Sequence, residues 1–419
     1  MMTRRMPALL ALPAMAVSIA AVSGSFYDWS AVPADASGPK NCYDFLMVSV
    51  FSEGPARLAN AIMYAAFGSV LSQVVMRTGI AARLISLTAE YAGESKYRLA
   101  ALMTIMVAVC FTSVTGLGAV IMIGSLVLPI LVGAGISSGY AACLMLFAIA
   151  WGGIFNPAVL GFYVDTLKID QNTMRSYVLA YGILMGLTTL LFFAIQGWRE
   201  RKSFNWSAPM PAPTPSNVPI LALLTPILPI ALILIFNMPI IPAFVIGMLW
   251  GVLTASGGSP INVLTAAILE GLKDIAPVLG LFVGIGMALN AMMAEPTKAV
   301  LAPFLQAVVP TSPLGFVLFF SLLAPLALYR GPLNFYGLGA GIAGLLFGAQ
   351  MLPNTAIMAA FFSTGQLQGV SDPTNTHNVW LGQFAKVSTW DLLRQTLPYV
   401  WGFSIVALLW SVFFMGALK

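Results

Sequence analysis

Polar residues that could bind an ion or a small anion interrupt four apolar stretches of this sequence. Two of the interruptions are the steps Asn156-Pro157 and Asp372-Pro373. The other two lie in CFTSVTGLGAV at 110–120 and ALYRGPLNFYGLGAG at 327–341. Interrupted helices inside a membrane persist only where protein or a water-filled cavity satisfies the freed backbone groups. We therefore expect these four positions to surround one polar site.

Asn or Asp followed by Pro is typical of an N-cap and the first residue of a helix, so each step predicts a new half-helix. Its free amides and positive end could bind an anion. The carbonyl groups that end the preceding half-helix, together with nearby oxygens, could bind Na+ as a coupling ion. The predicted coupling-ion residues are Asn156, Ser363, Thr364, Asp372, Asn375 and Thr376.

Arg330 is the strongest single candidate for substrate binding. An arginine at membrane depth is costly, and its planar guanidinium matches a carboxylate. It could instead pair with Asp372 or with hairpin carbonyls, or extend to the membrane surface. The predicted substrate-binding residues are Thr112, Ser113, Thr115, Gly116, Asn156, Arg330, Gly331, Asn334, Ser371 and Thr374.

The sequence allows two interpretations for each of two titratable residues near the second step. Asp372 is either an N-cap that only holds its helix or a group that takes part in Na+ or H+ coupling. His377, the single histidine, is a bystander in preference to a proton relay, and one histidine makes a metal site improbable. The sequence contains no nucleotide-binding loop and no Ser/Cys-His-Asp arrangement. We expect neither an enzyme nor a cofactor.

The elements that hold these residues are apolar helices. The 419 residues are 59% hydrophobic and 8% charged, which predicts an all-α polytopic membrane protein and no nucleic-acid partner. Apolar runs of spanning length recur along the whole chain. The cysteines Cys42, Cys110 and Cys143 show no disulfide or zinc spacing.

An internal repeat relates the two halves of the chain. A shift of 216 residues (156 to 372) places GGIFNPA at 152–158 on QGVSDPT at 368–374, and Gly68 on Gly284. We predict an N-terminal helix and external loop (1–44), repeat 1 (45–197), a cytoplasmic linker (198–219), connecting scaffold helices (220–261) and repeat 2 (262–419).

The distribution of Lys and Arg suggests the topology. Segments 98–135 and 313–350 are expected to be re-entrant helical hairpins, which leaves nine crossings, and each repeat also contains one discontinuous transmembrane helix. Basic clusters at Arg4-Arg5, around Arg77 and at Arg199 favour a cytoplasmic N-terminus in the inner membrane. The repeats then have inverted topology. The first helix resembles a signal peptide, and we expect it to be retained.

These features resemble the ion transporter superfamily, which includes citrate, gluconate, lactate and dicarboxylate permeases. The similarity rests on the inverted repeats, the hairpin tip, the run LPILVGAGI at 128–136 and the broken helix about twenty residues later, and it covers 45–200 and 262–416. The resemblance implies a scaffold domain that forms a homodimer and a transport domain that moves as an elevator. The Ser-Asn-Thr signatures of the sodium-dependent dicarboxylate branch are absent from both tips, so that branch's substrate is not assigned.

The sequence thus predicts a secondary transporter of a small organic carboxylate, driven by Na+ or H+ across the lipid bilayer. One alternative is a cation/proton antiporter in which Asp372 exchanges Na+ and H+ and Arg330 is its structural partner. Another is the membrane subunit of a multi-component carboxylate transporter.

Overall fold

The computed structural model describes residues 7–32, 38–200, 218–255 and 259–418, and within them every regular element is a helix. The basic pair Arg4-Arg5 and linker residues 201–217 lie outside the described residues. Six helices of the described chain are long and apolar enough to cross a membrane, or seven if one bent pair counts as a span. The predicted polytopic, all-helical membrane fold is confirmed.

Helix α1 (Ala8–Phe26) precedes repeat 1. The repeat begins with the long helix α2 (Cys42–Arg77), which has a π-helical stretch at Phe45–Glu53. Its remaining helices are α3 (Ile80–Ala92), α4 (Lys96–Phe111), α5 (Leu117–Gly133), α6 (Ser138–Ile154), α7 (Pro157–Leu167) and α8 (Gln171–Glu200). We call α4 and α5 hairpin 1, and residues 112–116 tip 1.

Two shorter helices connect the repeats, α9 (Leu228–Phe236) and α10 (Ile240–Thr254). A 3-10 turn, Ile220–Leu224, precedes α9. Repeat 2 contains α11 (Pro260–Met293), α12 (Glu295–Val308), α13 (Pro313–Leu323), α14 (Leu338–Gly348), α15 (Asn354–Ser371), α16 (Thr376–Ala385) and α17 (Thr389–Phe413). Hairpin 2 is α13 with its 3-10 extension Ala324–Arg330, tip 2 (330–337, beginning with the last residue of that extension) and α14.

The helices of the two repeats correspond in order and in position. Shifted by 216 residues, α4 would cover 312–327 and α6 would cover 354–370, close to the observed starts of α13 and α15. Both predicted hairpin segments contain two helical arms joined by a short non-helical tip. The weak sequence repeat therefore reports a real repetition of structure.

The long helices α2 and α11 cross in a way that the repeat makes symmetrical. A Cβ at Gly54 would lie 2.8 Å from the Cα of Met287, and one at Gly271 would lie 2.9 Å from the Cα of Val70. A shift of 217 residues converts the first contact into the second with the partners exchanged (54 to 271, 70 to 287). Early residues of α2 meet late residues of α11, so the helices run antiparallel, as inverted repeats require.

The two interrupted helices differ in detail. In repeat 1, α7 begins at Pro157 with Asn156 as its N-cap, as predicted, and the axis bends by 54°. In repeat 2, α15 ends with Asp372 at its C-cap, and α16 begins only at Thr376, after Asn375. The prediction that Asp372 is an N-cap is therefore wrong. Its carboxylate instead accepts the Thr374 amide and hydroxyl, an Asx-turn that delays the next helix.

Candidate functional site

Asn156 holds tip 1 against the break between α6 and α7. Its side-chain nitrogen donates to the carbonyls of Phe111 (3.1 Å) and Val114 (3.3 Å), while its side-chain oxygen accepts the Ala158 amide at 3.1 Å. The side chain is 1% exposed. Its donor and acceptor groups are therefore both used at the point where two backbone interruptions meet.

The rest of tip 1 contacts the connecting segment and α2. Hydroxyls of Thr112 (2.8 Å) and Ser113 both donate to the Pro226 carbonyl, before α9. The Ser72 hydroxyl donates to the Thr115 carbonyl at 3.3 Å. The hydroxyl of Thr115 is buried and has no hydrogen-bond partner among the described residues. Gly116 has φ 91°, a backbone conformation that favours glycine.

Asp372 plays the corresponding part at tip 2. One carboxylate oxygen accepts the backbone amide of Arg330 at 3.4 Å, and the other accepts the Thr374 amide (2.8 Å) and hydroxyl (2.7 Å). The side chain is 0% exposed. Tip 2 is also closed by Asn334, whose carbonyl accepts the amides of Gly337 and Gly339.

The guanidinium of Arg330 is not used to hold this structure together. Arg330 and Tyr329 both have left-handed backbone conformations, with φ of 56° and 57°. The half-buried side chain forms no ion pair and no hydrogen bond with any described residue. Its contact with Asp372 is made by the backbone. The alternative in which guanidinium and Asp372 pair structurally is therefore not formed here.

Tight backbone packing fixes the position of Arg330. A Cβ at Gly331 would lie 2.1 Å from the Leu326 carbonyl oxygen, and one at Gly339 would lie 2.5 Å from the Asn334 carbonyl oxygen. Only glycine fits at either position without moving the backbone. The predicted substrate residues Gly331 and Asn334 therefore shape the tip on which Arg330 sits.

The predicted coupling-ion residues do not all face the break. The hydroxyls of Ser363 and Thr364 donate to the carbonyl of Ala360, back into α15 and about two turns before the break. Ser371 shares a 2.8 Å hydrogen bond with Thr396 of α17. Thr376 is exposed at the start of α16.

The carbonyls that end α15 are satisfied by protein amides. Asn375 donates to the carbonyls of Gln368 (3.4 Å) and Gly369 (3.2 Å), and Asn378 donates to that of Val370 at 2.8 Å. The Asn378 side-chain oxygen is buried and without a partner among the described residues. Asn378 was missed at the sequence level because it lies beyond the Asp-Pro step that marked the break.

An aromatic cluster next to tip 2 was also missed. The rings of Tyr163 and Phe335 stack with centroids 4.3 Å apart, and Phe162 stacks on Phe282 of α11 at 4.7 Å and on Tyr336 at 5.0 Å. The cluster joins α7 of repeat 1 to tip 2 and to the long helix α11. In a chain this rich in aromatic residues, nothing in the sequence distinguishes these from other buried aromatic side chains.

Each half-helix after a break packs on the hairpin of the other repeat. The aromatic cluster joins α7 to hairpin 2, and in the counterpart contact a Cβ at Gly124 of hairpin 1 would lie 2.6 Å from the Trp380 ring of α16. The Tyr163 hydroxyl also donates to the Phe361 carbonyl of α15. Both tips and both breaks therefore belong to one interlocked body.

A second charged group lies apart from the tips. Arg57 donates to Asn290 of α11 at 2.8 Å and lies in electrostatic range of Asp165 near the end of α7. One carboxylate oxygen of Asp165 lies 3.2 Å from the Lys168 ammonium and forms an ion pair with it. The other oxygen is buried and has no partner among the described residues.

The described residues contain no group of three or more His, Cys, Asp or Glu side chains that could hold a metal ion. His377 is half-buried in the first turn of α16. All three cysteines are free. The chemistry that this arrangement offers is hydrogen bonding and charge, supplied by helix interruptions inside a membrane fold.

Comparison with solved structures shows which fold this is. The YdaH transporter of Alcanivorax borkumensis, described as having an unusual topology, superposes with a TM-score of 0.62 at 14% identity over 98% of both chains. MtrF of Neisseria gonorrhoeae, described as illuminating a class of antimetabolite efflux pumps, gives 0.65 at 12% identity over 98% of this chain and 96% of its own. The chain therefore has the fold of these transporters.

At the sequence level no family model matches the chain. No curated protein matches it either. The similarity to these two transporters is one of fold, and neither is described as a citrate, gluconate, lactate or dicarboxylate permease.

Proposed function

We propose that the protein is a secondary active transporter of a small organic carboxylate, coupled to Na+ or H+. The observation that carries the proposal is the joining of each hairpin tip to a helix break by one buried side chain, Asn156 or Asp372. Discontinuous helices that meet inside a repeat fold are the usual substrate and ion sites of secondary transporters. The transporter fold of both neighbours supports the same class.

A carboxylate is proposed because of the polar groups that remain available. The Arg330 guanidinium, free of partners among the described residues, stands on a rigid tip and offers a planar pair of N–H donors. On tip 1 the buried Thr115 hydroxyl also lacks a partner there. We propose that a small anion binds both groups.

The coupling ion is proposed to bind beside Asn156 and Asp372. Asp372 is fully buried and supplies a carboxylate next to the substrate position, so Na+ or H+ there would offset its charge. The rival cation/proton antiporter uses the same residue. It has less support because it assigns the Arg330 guanidinium as a partner of Asp372, and no such ion pair is formed.

Alternating access would come from the inverted repeat. Because α2 and α11 cross symmetrically, the two halves can exchange conformations, which exposes the site to the opposite side of the membrane. We propose that the body containing the tips moves as an elevator against the long helices, in a homodimer in the inner membrane with a cytoplasmic N-terminus.

The first test is the melting temperature of the purified protein with a panel of carboxylates, each in sodium and in potassium. A ligand that binds only the folded state raises the melting temperature by mass action. Antimetabolites that carry a carboxylate belong in the panel because MtrF is described as illuminating a class of antimetabolite efflux pumps. Stabilisation by a carboxylate, larger in sodium, supports a Na+ symporter.

Stabilisation by sodium alone, with every carboxylate silent, would replace the proposal with the antiporter. Transport of the identified carboxylate by the purified chain in liposomes would separate a complete transporter from the membrane subunit of a multi-component system. Failure in liposomes despite binding would favour the subunit.

A further inference from the structure

Repeat 1 carries a groove that opens on the outer face of its helices. The groove is separate from the polar site at the tips and breaks. It has a volume of about 630 Å³ and lies between α4 and α8, with α6 as its floor. Its walls carry exposed apolar side chains, among them Ile105 (48%), Ile183 (64%) and Leu187 (58%). It extends from Ala101 to Thr112 and Phe155, beside tip 1 and the first break.

The polar atoms of this groove already have partners within the protein. The Trp151 indole donates to the Gly182 carbonyl at 2.9 Å, and the hydroxyls of Thr104 and Thr189 donate to carbonyls one turn earlier in their own helices. The Thr112 hydroxyl donates to the Pro226 carbonyl. The occupant of the groove therefore needs no hydrogen-bonding groups of its own within it, which suits a hydrocarbon chain.

Repeat 2 shows that the fold does not require this groove. There the Trp401 indole of α17 donates to the Ser321 carbonyl of α13 at 2.7 Å and bridges the two corresponding helices. The repeat equivalents of Trp401 and Ser321 are Met185 and Ile105 (each 216 residues earlier). Met185 is fully buried, so its side chain does not bridge to the exposed Ile105. Protein fills this position in repeat 2, whereas repeat 1 leaves it open.

Exposed basic residues lie at one end of the groove. A Cβ at Gly197 of α8 would lie 3.7 Å from the Tyr97 ring of α4, so the two walls meet there. Exposed Arg98 and Arg199 flank this contact, with Lys96 beside them. The acidic residues of the same segments are Glu90, Glu94 and Glu200, and Glu200 accepts the amide and the hydroxyl of Ser137.

We propose that the groove binds an acyl chain of an anionic glycerophospholipid whose phosphate lies beside Arg98 and Arg199. Arg98 donates one N–H to the Tyr91 carbonyl and retains further N–H donors for a phosphate. Basic residues that flank an apolar, membrane-facing surface are the usual partners of anionic lipid headgroups. The end of the chain would lie against Phe155 and Thr112, behind the first break and tip 1.

The test uses delipidated full-length protein in detergent, with dioleoyl phosphatidylglycerol as the probe and dioleoyl phosphatidylcholine as the neutral reference. Native mass spectrometry counts bound lipid, and the melting temperature reports stabilisation. We expect one tightly bound phosphatidylglycerol and a larger melting shift than with phosphatidylcholine.

Two variants separate the groove from the headgroup. Ile183→Trp with Leu187→Trp fills the groove and should abolish the tightly bound lipid, whereas Leu191→Trp, equally exposed on α8 but outside the groove, should retain it. Arg98→Gln with Arg199→Gln should remove the preference for phosphatidylglycerol. Arg77→Gln, exposed at the end of α2, is the matched charge control.

Equal lipid binding by the groove-filling variant and by Leu191→Trp would overturn the proposal. Equal affinity of the wild type for phosphatidylglycerol and phosphatidylcholine would overturn it as well. A loss of dimer mass in the groove-filling variant, with lipid binding unchanged, would assign the groove to a second copy of the chain. None of these readouts depends on transport, so this inference can fail while the proposed function stands.

Discussion

At the level of single residues, Asn156 and Asp372 occupy equivalent repeat positions but differ because the two tips present opposite polarity. Tip 1 turns the carbonyls of Phe111 and Val114 towards its break, and only a donor can bind them. Tip 2 turns the Arg330 amide towards its break, and only an acceptor can bind it. The side-chain amide of Asn156 supplies the donor at tip 1, and the carboxylate of Asp372 supplies the acceptor at tip 2.

Asn156→Asp should therefore damage the protein although it is nearly isosteric. The substitution sets a carboxylate oxygen against two buried carbonyls and leaves them unsatisfied, which costs about 1–3 kcal/mol for an uncharged group and more for a charge. We expect a lower melting temperature and loss of transport in liposomes. A variant with normal stability and transport would contradict the assigned role.

Asp372→Asn tests the charge at the second break. In the wild type one carboxylate oxygen accepts the Thr374 amide and the other accepts the Arg330 amide, whereas asparagine has a single acceptor oxygen and loses one of these contacts. We therefore expect a moderately lower melting temperature. If Asp372 takes part in coupling, removal of its charge should leave substrate exchange intact but abolish accumulation against a gradient. Gradient-driven uptake equal to that of the wild type would leave Asp372 with a structural role only.

Arg330→Gly separates the backbone of tip 2 from its guanidinium. A left-handed conformation costs a non-glycine residue about 1–2 kcal/mol, and glycine avoids this cost while gaining freedom in the unfolded chain. We expect stability to stay within about 1 kcal/mol of the wild type. Carboxylate stabilisation should disappear in the same melting assay, and its persistence would sink the assigned anion contact.

At the level of helices, the order and spacing of elements were predictable, whereas the cap of the second break was not. Both hairpins and the start of α7 follow from glycine, proline and apolar-run spacing, which are local signals. Asp372 also precedes a proline, but its carboxylate is taken by Thr374 and by the backbone of Arg330, 42 residues away. A contact across such a separation leaves no local pattern.

The same limit explains the aromatic cluster and the antiparallel crossing. Phe162, Phe282 and Phe335 come from three separate segments, and nothing in their neighbourhoods sets them apart from other core aromatics. Gly54 and Gly271 are ordinary small residues of apolar helices until the contacts with Met287 and Val70 are known.

Gly54→Ala and Gly271→Ala test the symmetrical crossing of α2 and α11. Each methyl group would lie under 3 Å from a backbone atom of the partner helix, so each variant should lose about 1–3 kcal/mol of stability through overpacking. Since the contacts are equivalent, the two losses should be similar. Gly402→Ala, with no atom within 4 Å, should instead keep or raise the melting temperature. A large loss in only one crossing variant would contradict the symmetry.

At the level of the whole molecule, two bodies can be distinguished by their contacts. The long helices α2 and α11 form the symmetrical crossing, and the tips, breaks and exchanged half-helices interlock with one another. Hairpin 1 meets the long helices through polar groups: the Ser72 hydroxyl donates to the Thr115 carbonyl, and a Cβ at Gly118 would lie 2.9 Å from a carboxylate oxygen of Asp274. Elsewhere the bodies share apolar contacts, including the stack of Phe162 of α7 on Phe282 of α11. The proposed elevator movement would have to separate both kinds of contact.

A disulfide across that interface should therefore stop transport. A Cβ at Gly118 would lie 3.6 Å from the Asp274 carboxyl carbon, close to the separation that a disulfide requires. In a background without the native cysteines, Gly118→Cys with Asp274→Cys should transport when reduced and stop when oxidised. A separate background that retains Cys143 and carries Gln395→Cys, whose wild-type side chain contacts Cys143 (3.9 Å from Sγ to Oε1), offers a control within the interlocked body. Oxidation there should leave transport unchanged, and if oxidation of the first pair also had no effect, the two bodies would not move past each other.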